Sequence, residues 1–415
     1  MALSSLKENK FDFNLYINYA LIGYAFCLPI SKAGVNFFEI SMLLLWVFQG
    51  DWRSKFLLYK KNLLIIGMVL LITFSLFSVV WGSDVKFVLN YVAKYRHFLI
   101  ILVIFSSLQK EYIHKIFSGF LLGMFFSEII SYGIFFEFWH YKNVLPSDPT
   151  PFMSHTDYSI YLAFTSILLM TRFLDKNETN LKLKVGYLLF FLSSTSNLFV
   201  NGGRTGQVTF VVLVFTSFIM SLQSKLKAVV LSLILISVIF MLAFRYSPNF
   251  HNRFNQGKTE IIKLYNDNDY RGSFATRYLL WKVGLLSFKD HFLIGTGIGN
   301  DMKDANLYAE KLGVHADRKW DLREYGDHHN TFITLAVQLG IFGLAIIILI
   351  FYALFRLRFE SYYYKILNIT FVVGFFLWSF GGITFHTMNP MVFFALFAGL
   401  FNKISYIESN EGKIT

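Results

Sequence analysis

Apolar runs long enough, or nearly long enough, to cross a membrane alternate with short polar joints along the chain. They fall at 13–31, 35–50, 62–81, 96–109, 115–138, 157–173, 184–201, 204–222, 227–245, 330–353, 366–384 and 388–402. About 20 helical residues cross the roughly 30 Å of bilayer hydrocarbon. Several runs are shorter than that, so some re-enter the membrane or extend into their polar flanks, and 96–109 is the weakest of them. The pattern predicts an all-α polytopic membrane protein of about twelve transmembrane helices. Spans one to nine occupy 1–245, a long outer segment occupies 246–329, and spans ten to twelve with a short polar tail occupy 330–415.

Composition supports this reading. With 55% hydrophobic, 19% aromatic and only 15% charged residues in 415, the chain holds more apolar material than one soluble core buries. Positively charged short loops stay cytoplasmic. With the N-terminus inside, the inner segments carry 19 Lys and Arg and the short outer ones 6. The tail is then cytoplasmic and 246–329 is a periplasmic loop. The net charge of +12 follows from that asymmetry, with Arg53, Lys55, Lys60 and Lys61 in one inner loop, and calls for no nucleic acid. Cys27 is the single cysteine, so no intrachain disulfide forms and the outer segment must be held by packing. Lys7 and Lys10 ahead of a span containing Pro29 read as an uncleaved anchor. There is no visible internal repeat, which disfavours an inverted-repeat carrier.

The chemistry-bearing residues concentrate in the outer segment. Apolar residues at 274, 278, 281 and 285 have helical spacing, predicting an amphipathic helix over 273–289 that lies along the membrane interface with Tyr278 and Trp281 at headgroup depth. Arg277 flanks that stripe, placed either for a lipid-linked diphosphate or simply to snorkel. His315, His328 and His329 with Asp317, Asp321, Glu324 and Asp327 suggest a metal set, but their spacing matches no compact ligand pattern, and no metal is expected. Asn330 opens an apolar helix, so His329 stands at or just before a helix N-terminus. The dipole there disfavours a cationic imidazole, leaving a base beside N–H groups that can hold an anion. A merely capping histidine is the plainer alternative.

Asn201-Gly202-Gly203-Arg204-Thr205-Gly206 sits between two apolar runs. An arginine at the end of a span is costly unless paired, solvated or functional, and the glycines leave room for a close neighbour. Lys94 and Arg96, at the outer start of the fourth span, are secondary candidates for the same positive pocket.

In order, the Arg204 motif, Arg277 with Trp281, Gly295-Thr296-Gly297-Ile298-Gly299, His329-Asn330 and Gln338-Leu339-Gly340-Ile341-Phe342-Gly343 resemble the bacterial O-antigen ligase and polymerase superfamily, most closely the O-antigen ligases. One departure is Asn-Gly-Gly before Arg204, where family members often carry Ser or Thr. Another is His328 beside His329, although the family pattern favours the histidine directly before Asn.

The resemblance implies a GT-C-type membrane glycosyltransferase working on the periplasmic side of the inner membrane. Its donor would be a glycan on undecaprenyl diphosphate and its acceptor a hydroxyl of the lipid A core. His329 would be the base, Arg204 and Arg277 would bind the diphosphate, and His328, Asn330, Lys94 and Arg96 would be auxiliary. No cofactor is implied. The rival readings are an O-antigen polymerase, a protein O-oligosaccharyltransferase, and a non-enzymatic lipid or glycan transporter.

Overall fold

A computed structural model describes residues 12–314 and 321–411. Among them every regular element is helical. The first half runs α1 (Phe13–Cys27), α2 (Lys32–Gln49), α3 (Trp52–Tyr59), α4 (Leu63–Phe77), α5 (Val85–Ala93), α6 (Leu99–Ser107), α7 (Ile113–Phe135), α8 (His155–Leu174) and α9 (Leu181–Val200). The second half runs α10 (Arg204–Ser221), α11 (Lys225–Tyr246), α12 (Pro248–Asp267), α13 (Ser273–Asp290), α14 (Ala305–Lys311), α15 (Thr331–Phe355), α16 (Tyr362–Gly381) and α17 (Met388–Glu411).

Each of the twelve apolar runs carries a helix, but they do not all meet the requirements of a span. Among the described residues nine helical stretches are long and apolar enough to cross a membrane, or ten if α2 and α3, bent by 113° at their joint, form one broken span. At 15 residues, α1 reaches only about 22 Å at 1.5 Å per residue. By contrast α8 is long enough but carries Asp157 and Arg172, and its residues from Tyr158 to Thr171 are all buried. A helix enclosed by other helices does not need lipid-grade hydrophobicity. The weak run at 96–109 is the second half of a composite stretch, Val85–Ser107, broken by a 3-10 turn at Lys94–Phe98.

The core is aromatic. The central helix α17 buries Phe393, Phe394, Phe397 and Phe401 against Phe164 of α8 and Phe371 and Phe375 of α16, in edge-on and tilted pairs. At the other extreme α11 is the least covered of the candidate spans and lies at the periphery.

The described residues of the 246–329 segment form a folded cap rather than an unstructured loop. It contains α12, α13 and α14, and Tyr270, Leu279, Leu280, Val283, Met302, Tyr308 and Leu322 bury a small core of their own. The predicted helix is present as α13, and most of the stripe read from sequence lies off the face that packs on protein. Ala275, Leu279, Leu280, Val283 and Ser287 are buried, whereas Phe274, Tyr278 and Leu285 are left uncovered by protein. The Trp281 ring packs edge-on against Phe380 of α16, 5.5 Å between centroids.

The Gly-Thr-Gly-Ile-Gly run has a backbone role. Gly340 (φ 65°) breaks α15, which would strand carbonyls in an apolar bundle. The N–H groups of Thr296 and Gly297 donate to the freed carbonyls of Val337 and Gln338 at 2.8 and 3.0 Å, and Ile341 donates to Phe292 at 2.8 Å. Positive φ at Gly295, Gly297 and Gly299 brings the strand this close. A methyl at Gly297 would stand 2.7 Å from the Trp81 carbonyl, so Gly297→Ala should lower the thermal midpoint in detergent, with backbone strain alone costing about 1–3 kcal/mol. An unchanged midpoint would show that this joint is not tight.

Candidate functional site

The turn before α10 places Arg204 as the first residue of that helix. Asn201 is fully buried and its side-chain oxygen accepts the Gly203 N–H at 2.9 Å, while Gln207 donates to the Leu198 and Asn201 carbonyls. Gly203 and Gly206 lie so close to Ser159 of α8 that neither position has room for a side chain. The Gly206 N–H donates to the Ser159 hydroxyl at 3.2 Å, and Gly202 donates to Asp148 at 3.0 Å. The glycines therefore serve close packing, and Asn201 closes the turn.

From that turn Arg204 reaches α12. Its Nη2 donates to Gln256 Oε1 at 3.4 Å and lies 3.8 Å from Glu260 Oε1. Glu260 also accepts the Phe274 N–H at 2.8 Å, tying α12 to the start of α13. One turn further along α13, Arg277 is half-buried and makes no direct hydrogen bond or ion pair among the described residues. Burial pulls its guanidinium below the ordinary value, the Arg204 charge adds to that, and Asp327 and Glu260 oppose it. Arg277, set in the field of Arg204 and without a direct carboxylate partner among the described residues, forms with it a place where an anion is stabilised.

Asp327 links this pair to the histidine. Its Oδ1 accepts both the backbone N–H and the ring Nδ1–H of His329, each at 2.6 Å. A carboxylate accepts, so Nδ1 carries the proton, and in the neutral imidazole Nε2 then keeps its lone pair. His329 stands immediately before α15 with φ 49° and is half-exposed. Asn330 is the N-cap: its Oδ1 accepts from the N–H groups of Phe332 and Ile333 at 3.0 and 3.1 Å. Thr331 fixes the helix start by donating its N–H and hydroxyl to the Gly382 carbonyl.

His328 points the other way. It is fully buried, its Nδ1 lies 3.1 Å from the Leu280 carbonyl, and its Nε2 meets no hydrogen-bond partner among the described residues. Burial pushes its pKa down to about 4, so it is neutral at physiological pH but out of reach of a substrate.

The secondary candidates separate. Lys94 Nζ meets His386 Nε2 at 2.8 Å, and the His386 ring stacks on Tyr91 at 3.8 Å. Burial, reinforced by Lys94, lowers His386 to about 4, and Asp327 opposes this, so the pair borders the site. Arg96 turns instead toward Asn36 and Glu39, at 3.4 and 3.9 Å. It therefore stays outside the positive pocket, because the 3-10 turn sends residues two apart to different faces. His315 and Asp317 lie outside the described residues; among the described ones no three His, Cys, Asp or Glu side chains converge on a metal position.

Asp327 as the partner of His329 was missed from sequence, where it was weighed only as a metal ligand. The Asp-x-His spacing was the available signal. Asp301 was also missed: it is buried beside Gln338, and one carboxylate oxygen has no partner. Burial lifts its pKa from 3.8 to about 6. Well below the ordinary value of 3.8 the folded and unfolded chains both hold that proton. As pH rises toward 6 the unfolded chain releases it first, so the native state loses about 3 kcal/mol of relative stability over this window. Asp301→Asn should thus raise the thermal midpoint near pH 8 and have little effect near pH 4; equal shifts at both would show that Asp301 titrates normally.

Residues 188–348 match the family model described as O-Antigen ligase. An uncharacterized protein of Haemophilus influenzae is 25% identical over 194 residues, 46% of this chain and 47% of that protein, so the chain spans about half the length of this curated relative. The family match takes in Arg204, Arg277 of the cap, and His329 before α15, and over those residues the chain is similar to the O-antigen ligase family.

Proposed function

We propose that the protein is an O-antigen ligase. It transfers a glycan from undecaprenyl diphosphate to a sugar hydroxyl of the lipid A core, as a GT-C-type enzyme of the bacterial inner membrane with its site on the periplasmic side. The observation that carries this reading is that Arg277 lies in the fields of both Arg204 and Asp327, the carboxylate that holds His329. A base and a double-cation anion site are thereby neighbours, as attack on a glycosyl diphosphate requires.

In this mechanism His329 Nε2 takes the proton of the acceptor hydroxyl as its oxygen bonds to the anomeric carbon. The glycosidic C–O bond breaks, and its electron pair leaves with the diphosphate, whose growing charge Arg204 and Arg277 stabilise. Asp327 holds the imidazole in the required tautomer and stabilises the imidazolium that forms. The two guanidiniums supply the positive charge, so the reaction is metal-independent. With a single displacement, the anomeric configuration inverts.

Ligase and polymerase share a donor and differ in acceptor. Cells lacking the protein should still accumulate long glycan on undecaprenyl diphosphate while their lipopolysaccharide carries only core. Lipopolysaccharide capped with a single O-unit would instead make the protein the polymerase.

A further inference from the structure

Arg204 is placed from two directions, and one carboxylate stands where they meet. Asp148, in the loop between α7 and α8, accepts the Gly202 N–H on Oδ1 at 3.0 Å, two residues before Arg204. Its Oδ2 takes the ring Nδ1–H of His155, the first residue of α8, at 2.9 Å. The loop is itself anchored: the Ser131 hydroxyl of α7 donates to the Pro149 carbonyl at 2.7 Å, and the Asn197 amide of α9 donates to Ser131 at 3.1 Å. Gly203 closes against the same helix start, with the His155 carbonyl 2.5 Å from where its Cβ would be.

The second direction is α12. Arg253, Gln256 and Glu260 follow one another at helical spacing, so they share a face of that helix. Gln256 and Glu260 meet the Arg204 guanidinium at 3.4 and 3.8 Å. Arg253 reaches the turn instead: a Cβ built on Gly202 would stand 3.3 Å from its Nε and 3.5 Å from Asp148 Oδ1. Burial disfavours the charged form of Asp148, yet the hydrogen bonds from His155 and Gly202 and the charges of His155 and Arg253 hold its carboxyl below the usual range. An ionised carboxylate among these groups couples the backbone under Arg204 to the helix that holds its side chain.

We propose that Asp148 is a positioning residue of the anion site, acting through Gly202 to fix Arg204 and touching no substrate itself. The inference rests on the reading of Arg204 as a diphosphate ligand. An amide oxygen at position 148 can accept the same Gly202 N–H, whereas a methyl leaves the turn unpinned. The two substitutions therefore separate positioning from charge.

The test is binding of undecaprenyl diphosphate to the purified full-length protein. Asp148→Ala should weaken it by about tenfold or more, the size of a lost hydrogen bond to a charged group, and Asp148→Asn should stay within about threefold of wild type. In an Arg204→Ala background Asp148→Ala should add less than about twofold, because the residue it positions is gone. Unchanged binding in Asp148→Ala, an equal loss in Asp148→Asn, or full additivity with Arg204→Ala overturns the proposal. If wild type itself binds no undecaprenyl diphosphate, the reading of Arg204 as its ligand fails. Amide hydrogen exchange over residues 199–208 then tests the pin separately: it should quicken by about tenfold or more in Asp148→Ala and match wild type in Asp148→Asn. Equal exchange in all three proteins overturns the proposal.

Discussion

His329→Ala should lower kcat by about 10²–10⁴-fold, the range that a positioned general base contributes. The donor KM should change little, because the cations proposed to hold the diphosphate come from α10 and α13 rather than from this loop. Asp327→Asn should produce a smaller loss in kcat, since an amide no longer fixes the Nδ1–H tautomer on which the free Nε2 depends. His328→Ala should act on stability, as it empties a fully buried site and removes the contact to the Leu280 carbonyl. Loss of transfer in His328→Ala with near-normal transfer in His329→Ala would move the base by one residue. Near-normal transfer in both would remove histidine catalysis altogether.

The second large effect is expected at the arginines. Arg204→Lys and Arg277→Lys should each cost about 10²–10³-fold in kcat/KM, because an ammonium cannot make the planar, two-pronged contact that a guanidinium makes with phosphate oxygens. Competition by undecaprenyl diphosphate should weaken in both variants. Since the two cations share one anion, the double variant should lose less than the product of the single losses. Unchanged competition in both single variants would make these arginines structural.

Helix existence was readable because a run of apolar residues between charged joints has few other solutions in a membrane. What sequence could not weigh was enclosure. The helix α8 is buried from Tyr158 to Thr171 and carries Asp157 and Arg172 in its first and last turns, and counting residues alone cannot place such a helix across a bilayer. The cap illustrates the same limit at smaller scale. Its second core draws Tyr270 and Leu322 together across some fifty residues, and no local periodicity reports that. Likewise α13 is apolar on two faces, and only the packed structure shows which one meets protein.

Within the site, Arg204, Arg277 and His329 were legible as residues out of place in a membrane chain. Their convergence was not, because it depends on α12 and on Glu260, whose side chain meets Arg204 and the start of α13. Arg96 shows the converse case. Two residues from Lys94, it has the same charge and the same apparent depth, yet the turn carries it to Glu39 on another helix.

The central claim is that one base and two guanidiniums move a glycan from a lipid diphosphate to a lipid A core. The most direct measurement is reconstitution of the purified protein with undecaprenyl-diphosphate-linked glycan and lipid A core, followed by analysis of both products. The account predicts glycan-extended lipid A core together with free undecaprenyl diphosphate, inverted at the new linkage and absent with His329→Ala. Glycan that lengthens while still attached to undecaprenyl diphosphate, with the lipid A core untouched, would contradict it.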